Sequence, residues 1–101
     1  MVAASQARAL ALSLAGAEER PHHGFPSFRV RGSIFATLPN DAELRVMCDE
    51  PGILTAVDAH PEACREFYWG AKLACVAVDL PAADSALVAQ LLTDAWEFRC
   101  G

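Results

Sequence analysis

The sequence has 101 residues, of which 53% are hydrophobic and 21% charged, with a formal net charge of −5. A chain of this size folds as one domain and buries about two-thirds of its unfolded surface, and so hydrophobic a composition excludes intrinsic disorder. The leucines of the first twenty residues are interrupted by Arg8 and Ser13, which predicts neither a signal peptide nor a membrane span. We therefore expect a single domain over residues 1–101 that is cytoplasmic and has no membrane partner.

A first helix is predicted near the start of the chain. Ser5 is expected to be its N-cap, and Gly16 stands where a glycine would end it. The apolar residues between them recur at helical spacing: Ala7, Leu10, Ala11 and Leu14. The polar run 18–23 contains Pro21, which favours an edge strand at this point.

A β-hairpin is predicted over residues 27–38. Two apolar-rich runs flank Arg31-Gly32, where glycine can take the positive φ that a tight turn requires. A two-residue turn at Arg31-Gly32 and a three-residue turn ending at Gly32 both fit the pattern. The two turns differ in which strand residues share a face, so the face that carries the arginines stays open.

Four further segments follow the hairpin. Residues 43–48 alternate as a half-buried strand does, with Leu44, Val46 and Cys48 on its inner face. Asp49 is expected to cap a second helix with Ile53, Leu54 and Val57 as its apolar face, ending before His60-Pro61. Residues 63–70 fit no single element, and residues 72–80 predict a buried strand. Asp84 or Ser85 caps a last helix, whose apolar stripe is Val88, Leu91, Leu92, Ala95 and Trp96.

The predicted element order is α-β-β-β-β-α-β-α. Because single strands and helices do not alternate, we expect an α+β fold, a two-layer sandwich of one antiparallel sheet with helices packed on one face. The predicted core consists of apolar residues on the inward faces of these elements: Leu10, Leu14, Phe28, Val46, Val76, Val78, Leu91 and Ala95.

No enzyme motif is present, so we expect no catalytic residue and no cofactor. The neighbours His22 and His23 have no paired carboxylate, and adjacent strand residues point to opposite faces, so they are not expected to share a metal. The cysteines Cys48, Cys64, Cys75 and Cys100 lack the Cys-x₂₋₄-Cys spacing of zinc sites and are predicted to be reduced and free of metal. Cys64 beside Arg65 is the best candidate for a reactive thiol, although a passive buried cysteine is the more common case.

Positive charge is concentrated around the hairpin. Residues 20–45 carry four basic and two acidic residues, a net charge of +2, whereas residues 46–101 carry three basic and nine acidic residues, a net charge of −6. Arginines near aromatic residues such as Phe28, Phe35, Tyr68 and Trp69 are typical of a nucleic-acid surface. Alternatively, the arginines only solvate an exposed sheet face and pair with Asp41, Glu43 or Glu66.

Most of the chain resembles the MmcQ/YjbR family of small bacterial proteins. The hairpin region matches the family pattern at His22, His23, Gly24, Pro26, Ser27, Phe28, Val30, Gly32, Phe35 and Ala36. Later matches, in the same order as in the family, are His60-Pro61, Tyr68-Trp69-Gly70, residues 76–80 and Leu91-Leu92 with Ala95-Trp96. The chain differs from the family in having Ser33 where lysine is usual and in lacking a basic tail before Gly101.

The resemblance implies a two-layer fold with projecting hairpin wings, related to secretion-chaperone-like folds, and a DNA-binding function. We therefore expect a non-enzymatic protein that binds DNA weakly and largely without sequence preference. The expected contacts are Arg29, Arg31, Ser33 and Arg45. A possible ligand or surface site comprises His22, His23, Tyr68 and Trp69. The alternative is a protein-interaction or chaperone-like module that binds a partner through the open sheet or a helix face. A basic strip would favour DNA, and a large exposed apolar patch would favour a protein.

Overall fold

The structure is a computed structural model that describes residues 1–100. Three helices and six strands form two layers. In chain order the elements are α1 (Ala4–Leu12), β1 (Glu18–His22), β2 (Phe25–Val30), β3 (Ser33–Asn40), β4 (Glu43–Val46), α2 (Glu50–Ala59), β5 (Cys64–Trp69), β6 (Lys72–Asp79) and α3 (Ser85–Cys100), with a short 3₁₀ turn at Leu80–Ala82 before α3. The α+β fold with an antiparallel sheet is thus confirmed.

The six strands form one sheet in the order β1-β2-β3-β4-β6-β5, and every neighbouring pair is antiparallel. After β4 the chain passes through α2 to the far edge, forms β5 there, and returns as β6 between β4 and β5. The segment 63–70, which fitted no element, is therefore a strand, and the order α-β-β-β-β-α-β-β-α has one strand more than predicted. The β2–β3 hairpin is not a separate wing, since β1 and β4 pair with its outer edges.

The turn of this hairpin has two residues. Val30 pairs directly with Ser33, and both Arg31 and Gly32 have positive φ angles, 52° and 80°. Positive φ at both central positions is the pattern of a type I′ turn, whose twist matches that of the flanking strands. This two-residue turn fixes the register of β2 against β3, and the register determines which side chains of the two strands share a face.

The core lies between the sheet and the helices. Helix α3 packs on β2, β3 and β4, and α2 packs on β5 and β6. Most of the predicted core residues are buried: Phe28, Val46, Val76, Val78, Leu91 and Ala95. The prediction was wrong for Leu10 and Leu14, which are only partly buried. Helix α1 instead buries the small residues Ala7 and Ala11 completely, which lets it approach α3 closely.

A β-bulge in β3 adds a residue to the core. Phe28 pairs with Ala36 and Arg29 pairs with Ile34, so Phe35 has no partner on β2. A bulge of this kind turns two successive side chains toward the same side. Phe35 and Ala36 are both fully buried in the core, whereas strict alternation would place them on opposite faces.

The helix starts were predicted with mixed success. Asp49 caps α2 by accepting a hydrogen bond from the Gly52 N–H at 2.9 Å, and Asp84 caps α3 in the same way through the Leu87 N–H at 2.8 Å. Ser5 is not a cap, because α1 begins at Ala4 and Ser5 lies within its first turn.

The apolar face of α2 also differs from the prediction at one position. Ile53 and Ala56 are buried, whereas Leu54 is 44% exposed and points away from the sheet. Within residues 1–100, no helix combines the length and apolar character that crossing a bilayer requires.

Candidate binding face on the open side of the sheet

One face of the sheet is not covered by helices, and we call it the open face. The strand register brings a row of side chains together across it. Directly paired positions run from one edge of the sheet to the other: Arg20, Ser27, Thr37, Arg45, Ala77 and Arg65. Because alternate residues of a strand share a face, Arg29 lies on the same face as Ser27, and Phe67 and Trp69 on the same face as Arg65. Arg29 and Arg45, whose faces the sequence left open, are therefore on one side.

The open face carries most of the positive charge of the protein. Its strands place five of the eight basic residues there, namely Arg20, Arg29, Arg45, Arg65 and Lys72. Only three acidic residues share the face, namely Glu18, Glu43 and Asp79. The open face thus has a net charge of +2, and the three basic and ten acidic residues elsewhere sum to −7. The field of the protein favours an anion on this side.

Some of these cations are already paired. Glu43 contacts both Arg45, at 2.7 Å, and Arg65, at 2.9 Å. The Arg45 guanidinium also lies over the ring of Phe67, 4.1 Å from its centroid. The alternative interpretation, in which arginines pair with Glu43, thus holds for Arg45.

Three other basic residues of the sheet and its hairpin turn are unpaired in the described part of the chain. Arg29, Arg31 and Lys72 form no ion pair within residues 1–100. Arg29 Nε donates to Ser27 Oγ at 3.2 Å, and the Ser27 hydroxyl in turn donates to the Arg20 carbonyl at 2.7 Å. This serine is buried, so it positions the guanidinium without neutralising it.

A concave cavity of about 300 Å³ opens on this face, and we call it the aromatic cup. Its rim is formed by rings from the two ends of the sheet: His22, His23, Phe25, Phe67 and Trp69. Thr37 and Cys75, both buried, form its floor, and Met47 and Arg45 line its sides. An apolar lining with a few polar groups is typical of a small-ligand site.

The two histidines do not point to opposite faces as predicted. His23 leaves the strand in the turn that joins β1 to β2, where its φ is 51° and that of Gly24 is 85°. The two imidazole rings therefore come together, with centroids 4.3 Å apart, and His22 also contacts Phe25 at 5.8 Å. Within residues 1–100 no cluster of three or more metal-binding side chains is present.

Tyr68 and Trp69 lie on opposite faces of β5. Trp69 lies at the rim of the aromatic cup and is 73% exposed, whereas Tyr68 points to the other side of β5. The Tyr68 hydroxyl donates to Glu66 Oε1 at 2.6 Å, and this hydrogen bond raises the pKa of Tyr68. Of the four residues predicted as a ligand or surface site, His22, His23 and Trp69 thus meet, and Tyr68 does not join them.

Sequence reasoning also misjudged the aromatic residues. Phe35 was expected near the basic surface, but it is fully buried in the core, as is Phe28, which was also predicted to be a core residue. Phe25 and Phe67, which were not singled out, line the cup instead. Phe67 alternates with Arg65 and Trp69, and this pattern would have indicated a shared face once residues 64–69 were known to be a strand.

All four cysteines are free thiols. Burial raises the pKa of Cys48 to about 12 and the pKa values of Cys64 and Cys75 to about 11. Cys64 is therefore not an activated thiol. It faces the buried side of β5, opposite to Arg65, and the nearby Glu62 raises its pKa further.

We expect the native thiols to differ sharply in reactivity. A thiol reagent at about pH 8 should modify the partly exposed Cys100 first, since buried thiols stay protonated. The unfolded protein should show four reactive thiols and no stoichiometric zinc. Two thiols missing from unfolded, unreduced protein would contradict the assignment.

The same pKa shifts predict a loss of stability at alkaline pH. Unfolded thiols ionise near about pH 8.5, whereas folded Cys48, Cys64 and Cys75 stay protonated up to about pH 11. The unfolded state then binds fewer protons, so the free energy of unfolding should fall as the pH rises from about 9 to 11. Denaturation midpoints measured across this range, with Cys75→Ala as the variant whose decline is shallower, test this expectation.

A comparison with protein-family models gives a match over most of the chain. A model of the YjbR family matches residues 12–98, which include all six strands and most of α3. No curated protein and no solved structure gives a significant match. The matched range covers far more than half of the sequence. The chain therefore belongs to the YjbR family.

Proposed function

We propose that this protein is a non-enzymatic, nucleic-acid-binding protein of the bacterial cytoplasm that contacts DNA with the open face of its sheet. The observation that carries the proposal is the concentration of five of the eight basic residues on that face, beside exposed aromatic rings. Basic grooves with interleaved aromatic side chains are typical of nucleic-acid surfaces. Free thiols support a reducing compartment.

The phosphate contacts would come from the unpaired cations. Arg29 lies on the open face and Arg31 in the hairpin turn that follows its strand, and Lys72 lies opposite Trp69 on the neighbouring strand. Ser33, next to the turn, offers a hydroxyl donor where a lysine would offer a charge. Arg45 is held by Glu43 and Phe67, so its role is to shape the surface. Three or four contacts against a net charge of −5 favour weak binding.

The proposal includes no catalytic step. His22 and His23 contact each other and Phe25, and neither forms an ion pair with a carboxylate in residues 1–100. A histidine general base usually depends on such an orienting group. Their position in the rim of the cup suits a packing or ligand-contacting role.

A titration of fluorescently labelled DNA tests the proposal. Binding should be detectable at roughly 20 mM salt, where charges are little screened, and should weaken to a Kd of ~10⁻⁴–10⁻⁶ M at physiological salt. The slope of log K against log salt should be about −3, from three or four phosphate contacts. The affinity should change little between sequences of equal length. A complete lack of binding at the low salt concentration would overturn the proposal.

A protein-interaction module is the second candidate, and a particular groove favours it. The groove has a volume of about 330 Å³, lies between α2 and α3 and is lined by Ala56, Ala59, Leu87 and Leu91. Leu54 on α2 and Phe98 on α3 are each nearly half exposed. Asp94 lies in the groove wall, so a cationic amphipathic helix is the partner chemistry that would fit. Failure of the DNA titration would make this the leading candidate.

A further inference from the structure

We propose that the aromatic cup holds one unpaired nucleobase, so that single-stranded nucleic acid is preferred over a duplex. This inference rests on the proposed function and specifies the ligand of the same face. The cup is a concave part of the open face, and it adjoins Lys72 through the β5–β6 pair. It can therefore hold a base while the neighbouring phosphate meets a cation.

The size of the cup fits a single ring system. Its volume of about 300 Å³ lies at the lower end of the roughly 300–1,000 Å³ that small-molecule sites span. The lining is dominated by rings and by Met47, which suits the flat, apolar faces of a base. A base within a duplex is stacked and paired on its edge, so it reaches a concave site only after it has been flipped out of the helix.

Trp69 is the ring with a free face. Phe67 is covered by the Arg45 guanidinium at 4.1 Å, and His22 is in contact with both His23 and Phe25. Trp69, in contrast, is 73% exposed and lies 6.5 Å from Phe67 at a tilt of 45°. An exposed indole at the mouth of a cavity is a stacking platform, and stacking accepts any of the bases.

The cup also contains polar groups that can contact the edge of a base. Glu43 accepts a hydrogen bond from Arg45 Nε at 2.7 Å, which leaves the Nη groups of this arginine as further donors. The Thr37 hydroxyl can donate or accept from the floor of the cup. A small number of polar groups within an apolar lining would orient a base but would select only weakly among the different bases.

Three labelled ligands of equal length and charge per strand test the inference: a single strand, the same strand with abasic sites, and the corresponding duplex. The single strand should bind about tenfold more tightly than either of the others, because one stacked base contributes on the order of tenfold. Trp69→Ala should remove this advantage and leave the binding of duplex and abasic DNA unchanged. Tyr68→Ala, which removes an exposed ring from the other side of β5, should change none of the three affinities.

The possible failures point to different conclusions. Equal affinity for all three ligands, or an unchanged single-strand preference in Trp69→Ala, would overturn the base-binding cup and leave DNA binding by the open face intact. Lack of binding to any of the three at roughly 20 mM salt would overturn the proposed function itself.

Discussion

Leu92→Ala should lower the free energy of unfolding by about 2–5 kcal/mol, the largest effect on stability that we expect from the residues of α3. Leu92 is fully buried, and α3 is the helix that covers the central strands and contacts α1. Removing the Leu92 side chain leaves a cavity between the helices and the sheet, which the surrounding side chains cannot easily fill. Leu91, which lines the groove between α2 and α3, can relax toward solvent. Leu91→Ala should therefore be near the lower end of the same range.

Chemical denaturation followed by circular dichroism measures these differences. Leu54→Ala is the matched control, because it removes the same atoms from an exposed position on α2. It should change the free energy of unfolding by no more than about 0.5 kcal/mol. A Leu92→Ala midpoint that stays equal to that of Leu54→Ala would show that α3 does not pack on the sheet as described.

The combined change Arg29→Ala and Arg31→Ala should have the largest effect on DNA binding. These side chains are unpaired within residues 1–100, and Arg31 lies in the turn that directly follows the strand of Arg29. Each lost phosphate contact reduces the salt slope by about one, so the double variant should retain a slope of only about −1. The affinity should fall equally for all sequences, because phosphate contacts carry no sequence information.

A double variant of equal charge change provides the control. Arg8 lies on α1 and Arg99 in the last turn of α3, both away from the strands of the open face. Arg8→Ala with Arg99→Ala should keep the slope of about −3, apart from a small general loss from the altered net charge. Equal losses in both double variants would mean that net charge, and not the open face, governs binding.

The sequence predicted those features that depend on neighbouring residues. Helix caps at Asp49 and Asp84, the alternation of residues 43–46 and the Arg31-Gly32 turn follow from short patterns that the structure retains. The position of β5 at the edge of the sheet, in contrast, is not determined by a short sequence pattern. Whether Arg65, Phe67 and Trp69 meet Arg45 is decided by β6, which inserts between β4 and β5 and pairs with both.

The remaining differences between prediction and structure arise where a local break in a strand changes the face on which a side chain lies. The bulge at Phe35 moves a phenylalanine into the core, and the positive φ of His23 brings its ring against His22. Cys64 was assessed by its neighbour Arg65, but adjacent strand residues face opposite sides, so burial determines its pKa instead. Strict alternation, applied without these local breaks, could not predict the aromatic cup.

The two tryptophans allow the most direct test of the open face as the contact surface. Trp69 is exposed beside the cup, whereas Trp96 lies in the helical layer with its indole Nε1–H donating to the Ala15 carbonyl at 2.8 Å. Each gives its own indole N–H signal in a nitrogen–proton NMR spectrum, and the two can be assigned with Trp69→Phe. When single-stranded DNA is added at low salt, the Trp69 signal should shift progressively and the Trp96 signal should stay in place. A shift of Trp96 alone, or an unmoved Trp69 signal at a DNA concentration that saturates binding, would contradict the open face as the binding site.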